Sequence, residues 1–324
     1  MCRRSRVALA GASRGVVSES RVQDFARRLF FIAALFRRGL EARDDNEHAL
    51  NHQHSGKCLA RCPGSDHDKV GRVLIERIGF TPLKDGRHMP HDLADLTAGG
   101  PVGDRVFCLV DRSRGRVLRT VENPALLQGC AQWKAGVLSV DLEGRTLEGV
   151  PSASGEMLKV DYWGRTAAVQ VCTGPWAQAY SEHLGHDAVL ARAVSAGEVV
   201  YGASVTVVTT ASMRLLAERL GREVGSERFR STLLVDTGDS APHVEDSWVG
   251  RQLSVGAATV RVRAVVPRCA VVDLDPVTGR NDAPVLEELA RYRQSQGQIN
   301  FGVDAVVTSP GRVRTGDPVM LEEA

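Results

Sequence analysis

The spacing of apolar residues divides the chain into two unlike parts. Up to about Lys69 no sustained periodicity appears, and the one apolar run, Leu29 to Phe36, is closed by Arg37 and Arg38. Spanning a bilayer takes about 20 apolar residues, so this run predicts no membrane span. A twin-arginine export signal fits poorly as well, because the short apolar core has no small-residue cleavage site after it. From Val70 onward, short apolar runs recur between Gly, Pro and Asp. Val73-Leu74-Ile75, Arg105 to Val110, Val137 to Val140, Ala167 to Val171 and Ser204 to Val208 each read as a strand. Leu233 to Val235, the alternating Thr259 to Val266, Phe301 to Val307 and two segments between Val313 and Leu321 extend the series.

Three helices interrupt the strands. One opens at Gly174-Pro175-Trp176 and closes at Gly185. A second runs from Ser212 to Leu220, with Met213, Leu216 and Leu220 on one face, Thr210 or Ser212 as cap, and Gly221 just past its end. The third follows Asn281-Asp282, has Pro284 early, and places Val285, Leu289 and Tyr292 together. Many strands with few inserted helices predict a mainly β, α+β chain with a β-barrel-like core, not an alternating βαβ sheet. Three regions are expected: an extension over 1–69, a smaller β-rich subdomain over 70–198, and a barrel-like domain over 199–324.

Composition adds exclusions. With 41 basic and 39 acidic residues among 324, the net charge of +2 argues against a broadly basic nucleic-acid binder. Residues 1–69 hold 13 basic and 8 acidic side chains, or +5, leaving −3 for the remainder. His48, His52, His54, Cys58, Cys62 and His67 invite a zinc reading, but the spacing is loose and lacks a second ligand pair, so a polar lead-in is the expectation. Seven scattered cysteines in a long chain fit a reducing cytoplasm better than a disulfide framework. No Gly-x-Gly-x-x-Gly or P-loop pattern supports nucleotide binding.

The second part carries the candidate chemistry. Cys269 follows a strand and Arg268; a thiolate is a soft metal ligand, and a neighbouring guanidinium favours it. Arg228 and Arg230 flank Phe229, so on a strand both would point to one face and could hold a phosphate or heterocycle. Lys84 and Arg105 would add charge if the two halves meet. Arg261 and Arg263 read as a solvated strand face, and Trp248 and the Asp275 to Gly279 turn as packing and turn chemistry.

These elements occur in an order that resembles the MOSC family, the domain related to the C-terminal part of molybdenum-cofactor sulfurase and to mitochondrial amidoxime-reducing component. The matching stretches are Ala211-Ser212-Met213, Arg228-Phe229-Arg230, Asp246 to Gly256, Arg268-Cys269, Asp273 to Gly279, Asn300-Phe301-Gly302 and Pro310 to Asp317. Upstream, Phe80-Thr81-Pro82-Leu83-Lys84, Gly103-Asp104-Arg105 and Asn123 to Leu126 resemble that family's N-terminal β-barrel motifs. Asp85 stands where serine usually follows the lysine, and Ser231-Thr232 where Pro-Asn is usual.

The resemblance implies a molybdenum cofactor (Mo-molybdopterin), with Cys269 as metal ligand and catalytic residue, and Lys84, Arg105, Thr210, Ser212, Arg230 and Thr232 as cofactor contacts. It also implies an oxidoreductase that reduces small N-hydroxylated or N-oxide compounds by oxygen-atom transfer. Electrons would come from a separate ferredoxin-, flavin- or cytochrome-type reductase. Pyridoxal phosphate binding is a further family-level association. The alternatives are a carrier of cofactor, or of sulfur as a persulfide on Cys269, and a cofactor-free member acting only through partner contacts.

Overall fold

The computed structural model describes residues 73–322. The apolar run at Leu29 to Phe36 and the His/Cys cluster from His48 to His67 lie outside the described residues. Strands dominate residues 73–322, with three α-helices inserted, so the fold is the mainly β, α+β arrangement that the apolar spacing predicts.

Its largest element is a nine-stranded sheet. In spatial order it runs Met89–His91, Leu74–Phe80, Leu233–Asp236, Val205–Thr209, Gln298–Ser309, Ala258–Pro267, Gln252–Val255 and Val319–Leu321, with Gln294–Ser295 paired to the long strand Gln298–Ser309. Only Val205–Thr209 and Leu233–Asp236 pair in parallel among these neighbours. Alternation decides what each face buries. Ile75, Ile78, Val205, Val207, Leu233, Val235, Val260, Val262, Val303 and Ala305 point into one core. Val208 and Phe301 point the other way, onto Leu216 of the helix Thr210–Leu220 and onto Val285 and Leu289 of the helix Val285–Arg293.

Residues between the sheet's first and third contributions form a closed five-stranded barrel: Ser152–Tyr162, Arg165–Thr173, Val189–Ala193, Phe107–Asp111 and Arg116–Val117. Cys108, Val110, Val160, Tyr162, Val169 and Ala191 share one barrel core. Phe107 and Leu109 face a second core under the helix Trp176–Leu184 and the hairpins Cys130–Lys134, Val137–Leu142 and Arg145–Gly149. Two cores back to back explain why Phe107–Asp111 is buried at every position and reads as an unbroken apolar run.

Two local details differ from expectation. Thr209, not Thr210 or Ser212, caps the second helix: the strand Val205–Thr209 runs straight into it, so its last extended residue accepts the Ser212 N–H through Oγ1 at 3.3 Å. The strand Leu74–Phe80, which lies within the first β-rich segment, pairs antiparallel with Leu233–Asp236 of the large sheet.

Gly302 has a positive φ of 72° inside the strand Gln298–Ser309. A Cβ there would stand 2.5 Å from the Val207 carbonyl oxygen and 2.8 Å from Val208 Cγ2. Only glycine fits both the dihedral and the space. Gly302→Ala is therefore expected to lower stability by about 1–3 kcal/mol, read from denaturant midpoints at unchanged m-value. His243 supplies a second prediction. Burial, followed by the nearby Arg293, pushes its imidazole from the usual 6.5 down to about 4, against a smaller pull from Asp246. Between those values the unfolded chain takes up a proton that the folded chain refuses, so stability falls as pH drops from about 6.5 toward 4. Denaturation curves at pH 7.5 and 5 should show this loss, and His243→Asn, which tolerates the residue's φ of 63°, should shrink it.

Candidate functional site

Two loops lie side by side at the junction of barrel and sheet. Lys84 N–H donates to the Phe107 carbonyl at 2.7 Å, Arg105 N–H to Thr81 at 2.7 Å, and Phe107 N–H to Pro82 at 2.8 Å. Thr81 N–H in turn donates to Asp104 Oδ1 at 3.2 Å. These bonds lay the Phe80 to Lys84 motif against Gly103-Asp104-Arg105, although the barrel chain continues from only one of them. Gly86 N–H closes a turn onto Leu83 at 3.0 Å, with Asp85 in the left-handed region at φ 67°. Asp tolerates that region better than most side chains.

The charges gathered there compensate one another inside the protein. Lys84 Nζ, on a side chain only 11% exposed, lies 2.7 Å from Asp85 Oδ1, which also accepts from Thr120 Oγ1 at 2.7 Å. Burial lowers the Lys84 ammonium, and Asp85 only partly restores it against Arg230 and Arg105. Burial raises the Asp85 carboxyl, but Lys84, Arg230 and the two donors together outweigh it and hold it below the usual range. Arg105 Nη1 lies 3.1 Å from Asp104 Oδ2. Arg230 Nη1 donates to the Gly86 carbonyl at 2.8 Å; burial lowers its guanidinium, with Asp85 opposing and Arg105 reinforcing. Lys84, Arg105 and Arg230 thus come together from three separate segments.

Two residues not singled out in the sequence join them. Arg77 lies on the strand Leu74–Phe80, where the register shifts between Ile75 and Arg77. His88 is buried, and a Cβ on Gly79 would strike both the Arg77 guanidinium and the His88 ring. Burial, then the charges of Arg230, Arg77 and Arg105, drive the His88 imidazole well below its ordinary value, so it stays neutral. Among the described residues, Arg77 Nη1 and Nη2, Arg230 Nη2 and both ring nitrogens of His88 are buried without a hydrogen-bond partner. Buried unpaired donors are costly, and here they accumulate in one place. The only sequence signal was a charged pair, Glu76-Arg77, inside an apolar strand.

Cys269 precedes the short turn Ala270–Asp273 and is a free, half-buried thiol. Burial raises its thiol, against the Val271 N–H and Arg268, and the charges of Asp85 and Lys84 also reach it. Arg268 thus favours the thiolate, as adjacency suggests, but burial outweighs it. Its guanidinium is committed elsewhere: Nε donates to the Phe301 carbonyl and Nη1 to the Phe229 carbonyl, both at 2.8 Å. Arg268 itself is lowered to about 10 by burial.

The remaining expected contacts are engaged in the protein's own bonding. Thr210 Oγ1 donates to Asp236 Oδ1 at 2.9 Å. Ser212 Oγ donates to the buried Glu245 carboxylate, 2.7 Å from Oε1, and accepts from His243 N–H at 2.8 Å. Thr232 exchanges bonds with Thr206: its Oγ1 accepts from Thr206 N–H at 3.1 Å, while its N–H donates to Thr206 Oγ1 at 3.0 Å. Arg228 and Arg230 do not share a strand face. Ser226–Phe229 is a 3-10 turn and Arg230 is left-handed at φ 51°, so Arg228 turns to Asp282 and binds both carboxylate oxygens at 2.8 Å.

Among the described residues, no group of three or more His, Cys, Asp or Glu could hold a metal ion. A cleft of about 510 Å³, lined by Val102, Trp133, Met157 and Arg192, meets the charged cluster at Asp104 and Arg105 only. No described helix is long and apolar enough to cross a membrane.

Residues 181–320 match the model of the MOSC domain. Those residues, under half of the chain, carry the likeness to the MOSC domain. A 124-residue stretch is 31% identical to human mitochondrial amidoxime-reducing component 1, covering 36% of this chain and 36% of that protein. Mitochondrial amidoxime reducing component 2 of Macaca fascicularis is 24% identical over 286 residues, 78% of this chain and 83% of the relative. The match to the human protein therefore spans about a third of its length. Among solved structures, the YuaD protein from Bacillus subtilis aligns at TM-score 0.38 and 14% identity, over 76% of this chain and 93% of that one.

Asp85 is the test of this charged cluster. Asp85→Asn removes the carboxylate nearest to Lys84 and leaves buried cations facing one another. It is expected to destabilise the cofactor-free chain by about 3–5 kcal/mol, and added phosphate or sulfate should recover part of that loss in thermal melts.

Proposed function

We propose that the chain binds a molybdenum cofactor and reduces small N-hydroxylated or N-oxide compounds with electrons from a separate protein. The observation that carries this reading is the convergence of Lys84, Arg105 and Arg230 with unpartnered buried donors of Arg77, Arg230 and His88, within electrostatic reach of Cys269. The donor chemistry suits a phosphate-bearing, metal-binding organic group: guanidinium and ammonium for the anionic tail, one soft sulfur for the metal. Relatives named amidoxime-reducing components support the substrate class, and their designation as a component fits a system completed by another electron carrier.

Each residue then has a task. Arg230, Arg105 and Lys84 would hold the phosphate, with Asp85 and Asp104 keeping the apo cluster from flying apart. Neutral His88 can donate to or accept from the organic ring without adding charge. Cys269 would provide the metal–sulfur bond; its raised thiol means that proton loss accompanies ligation, driven by the metal's own charge. Arg268 positions the Cys269 turn by fastening it to the Phe229 and Phe301 carbonyls. When bound, the cofactor would supply two-electron oxygen-atom transfer. Thr210, Ser212 and Thr232 are retained as contacts only through atoms beyond their present bonds. The free state of the four described cysteines supports a reducing, cytoplasmic setting.

The test is metal and pterin content after expression in a cofactor-competent host, measured anaerobically as native and denatured mass. Cys269→Ser is expected to lower molybdenum affinity about 10–100-fold while the protein stays soluble. A soluble Cys269→Ser chain with full molybdenum and activity would overturn the assignment. A mass gain of one sulfur without pterin would favour the persulfide carrier instead.

A further inference from the structure

Beyond Asp104 and Arg105 opens the cleft of about 510 Å³. Part of its lining is the outer face of the barrel. Met157 pairs with Gln170, and Gln170 with Arg192, across the strands Ser152–Tyr162, Arg165–Thr173 and Val189–Ala193, so the three side chains stand in one row. Their neighbours Val169 and Ala191 point the other way, into the barrel core. The segments Thr97 to Val106 and Val194 to Ala196 supply most of the rest. They touch where a Cβ on Gly99 would stand 2.5 Å from Ala196 Cβ.

Two cations and one carboxylate line this space. Arg105 Nη1 lies 3.1 Å from Asp104 Oδ2, and Asp104 Oδ1 already accepts from Thr81 N–H, so that pair is spent on itself. Arg192 remains as the cation of the cleft without a carboxylate partner among the described residues. Its guanidinium lies 5.1 Å from the centre of the Trp133 ring. Trp133 in turn packs edge-on to buried Phe107, with ring centres 5.6 Å apart at 86°. A guanidinium seated on a ring that is itself fixed loses little freedom when it takes a ligand, and its planar fork matches a carboxylate. The Gln170 amide beside it can donate or accept.

The rest of the chemistry is apolar. Val102, Met157 and Val194 are each more than half exposed, and all three line this same cleft. Exposed apolar side chains gathered in one concavity mark a binding site, and a few hundred Å³ with one or two polar groups takes a small organic molecule. One unpaired cation matches one negative charge. A second charge on the ligand would find no cation of its own, since Arg105 is taken by Asp104.

We propose that this cleft binds a small monocarboxylate with an apolar body, its carboxylate held by Arg192 and Gln170 and its body by Val102, Met157 and Val194. The site needs neither metal nor pterin, so it stands apart from the cofactor reading.

The full chain is titrated with phenylacetate by calorimetry and thermal melts, with phenylacetamide and acetate as controls. Phenylacetate is expected to bind saturably and about fivefold or more tightly than either control, since one lacks the charge and the other the apolar body. Arg192→Gln should weaken phenylacetate about tenfold, and Met157→Ser about two- to fivefold. Both side chains are exposed, so the melting temperature without ligand should hold in each variant. No saturable phenylacetate binding, or equal binding by the unaltered chain and Arg192→Gln, overturns the site. Tighter binding of phenyl phosphate than of phenylacetate overturns the choice of a monoanion.

Discussion

Lys84, Arg77, Arg105 and Arg230 share one neighbourhood, and three carboxylates keep them there: Asp85 beside Lys84 and Arg230, Asp104 beside Arg105, and Glu227 beside Arg77. Removing like charges from water together is costly, so the loops that deliver them must be held tightly and the counter-charges placed close. The paired loop bonds from Thr81, Lys84, Arg105 and Phe107 meet the first demand, and the left-handed turn at Asp85 meets the second. Much of the surrounding architecture serves the same end. The barrel presents Phe107 beside Lys84, the first strand presents Arg77, and the 3-10 turn after the second helix rotates Arg230 inward. A cluster so balanced keeps its charges buried and still holds donors without a partner among the described residues.

Behind this front lies a quieter polar layer. Glu245 is fully buried at the head of the helix Thr210–Leu220 and takes hydrogen bonds from Thr209 and Ser212. Burial raises its carboxyl, while the Ser212 and Thr209 donors oppose the shift. Arg268 fastens the Cys269 turn to two backbone carbonyls from different elements. Cys269 is thus placed by backbone bonding, and Ser212, the serine expected as a cofactor contact, supports the head of the helix Thr210–Leu220.

Legibility in the sequence tracks burial. Runs buried on both faces, such as Phe107–Asp111 and Val205–Thr209, were legible because burial on both sides favours apolar side chains in succession. The strand Ser152–Tyr162 was not, since its first half is exposed and carries Ser, Gly and Glu without alternation. The ordered motifs pointed to Lys84, Arg105 and Arg230, which the fold brings together, and to Cys269. Strand alternation, not these motifs, misdirected at Arg228, because reading Arg-Phe-Arg as a strand assumes a backbone that the 3-10 turn denies. Arg77 and His88 stayed hidden, because a single polar residue acquires meaning only from neighbours that are distant in sequence.

The pairing of Leu74–Phe80 with Leu233–Asp236 sets an order of events as the chain leaves the ribosome. The first strand emerges early, yet its antiparallel partner appears only after the whole barrel has been made. Until then its edge is open, and the lysine loop at its end has nowhere to dock. Such long-range closure is intrinsically slow and exposes unpaired backbone to other chains. Assembly of the charged cluster is thus a late event of biogenesis, timed by when the C-terminal half is translated and not by when the Lys84 loop is.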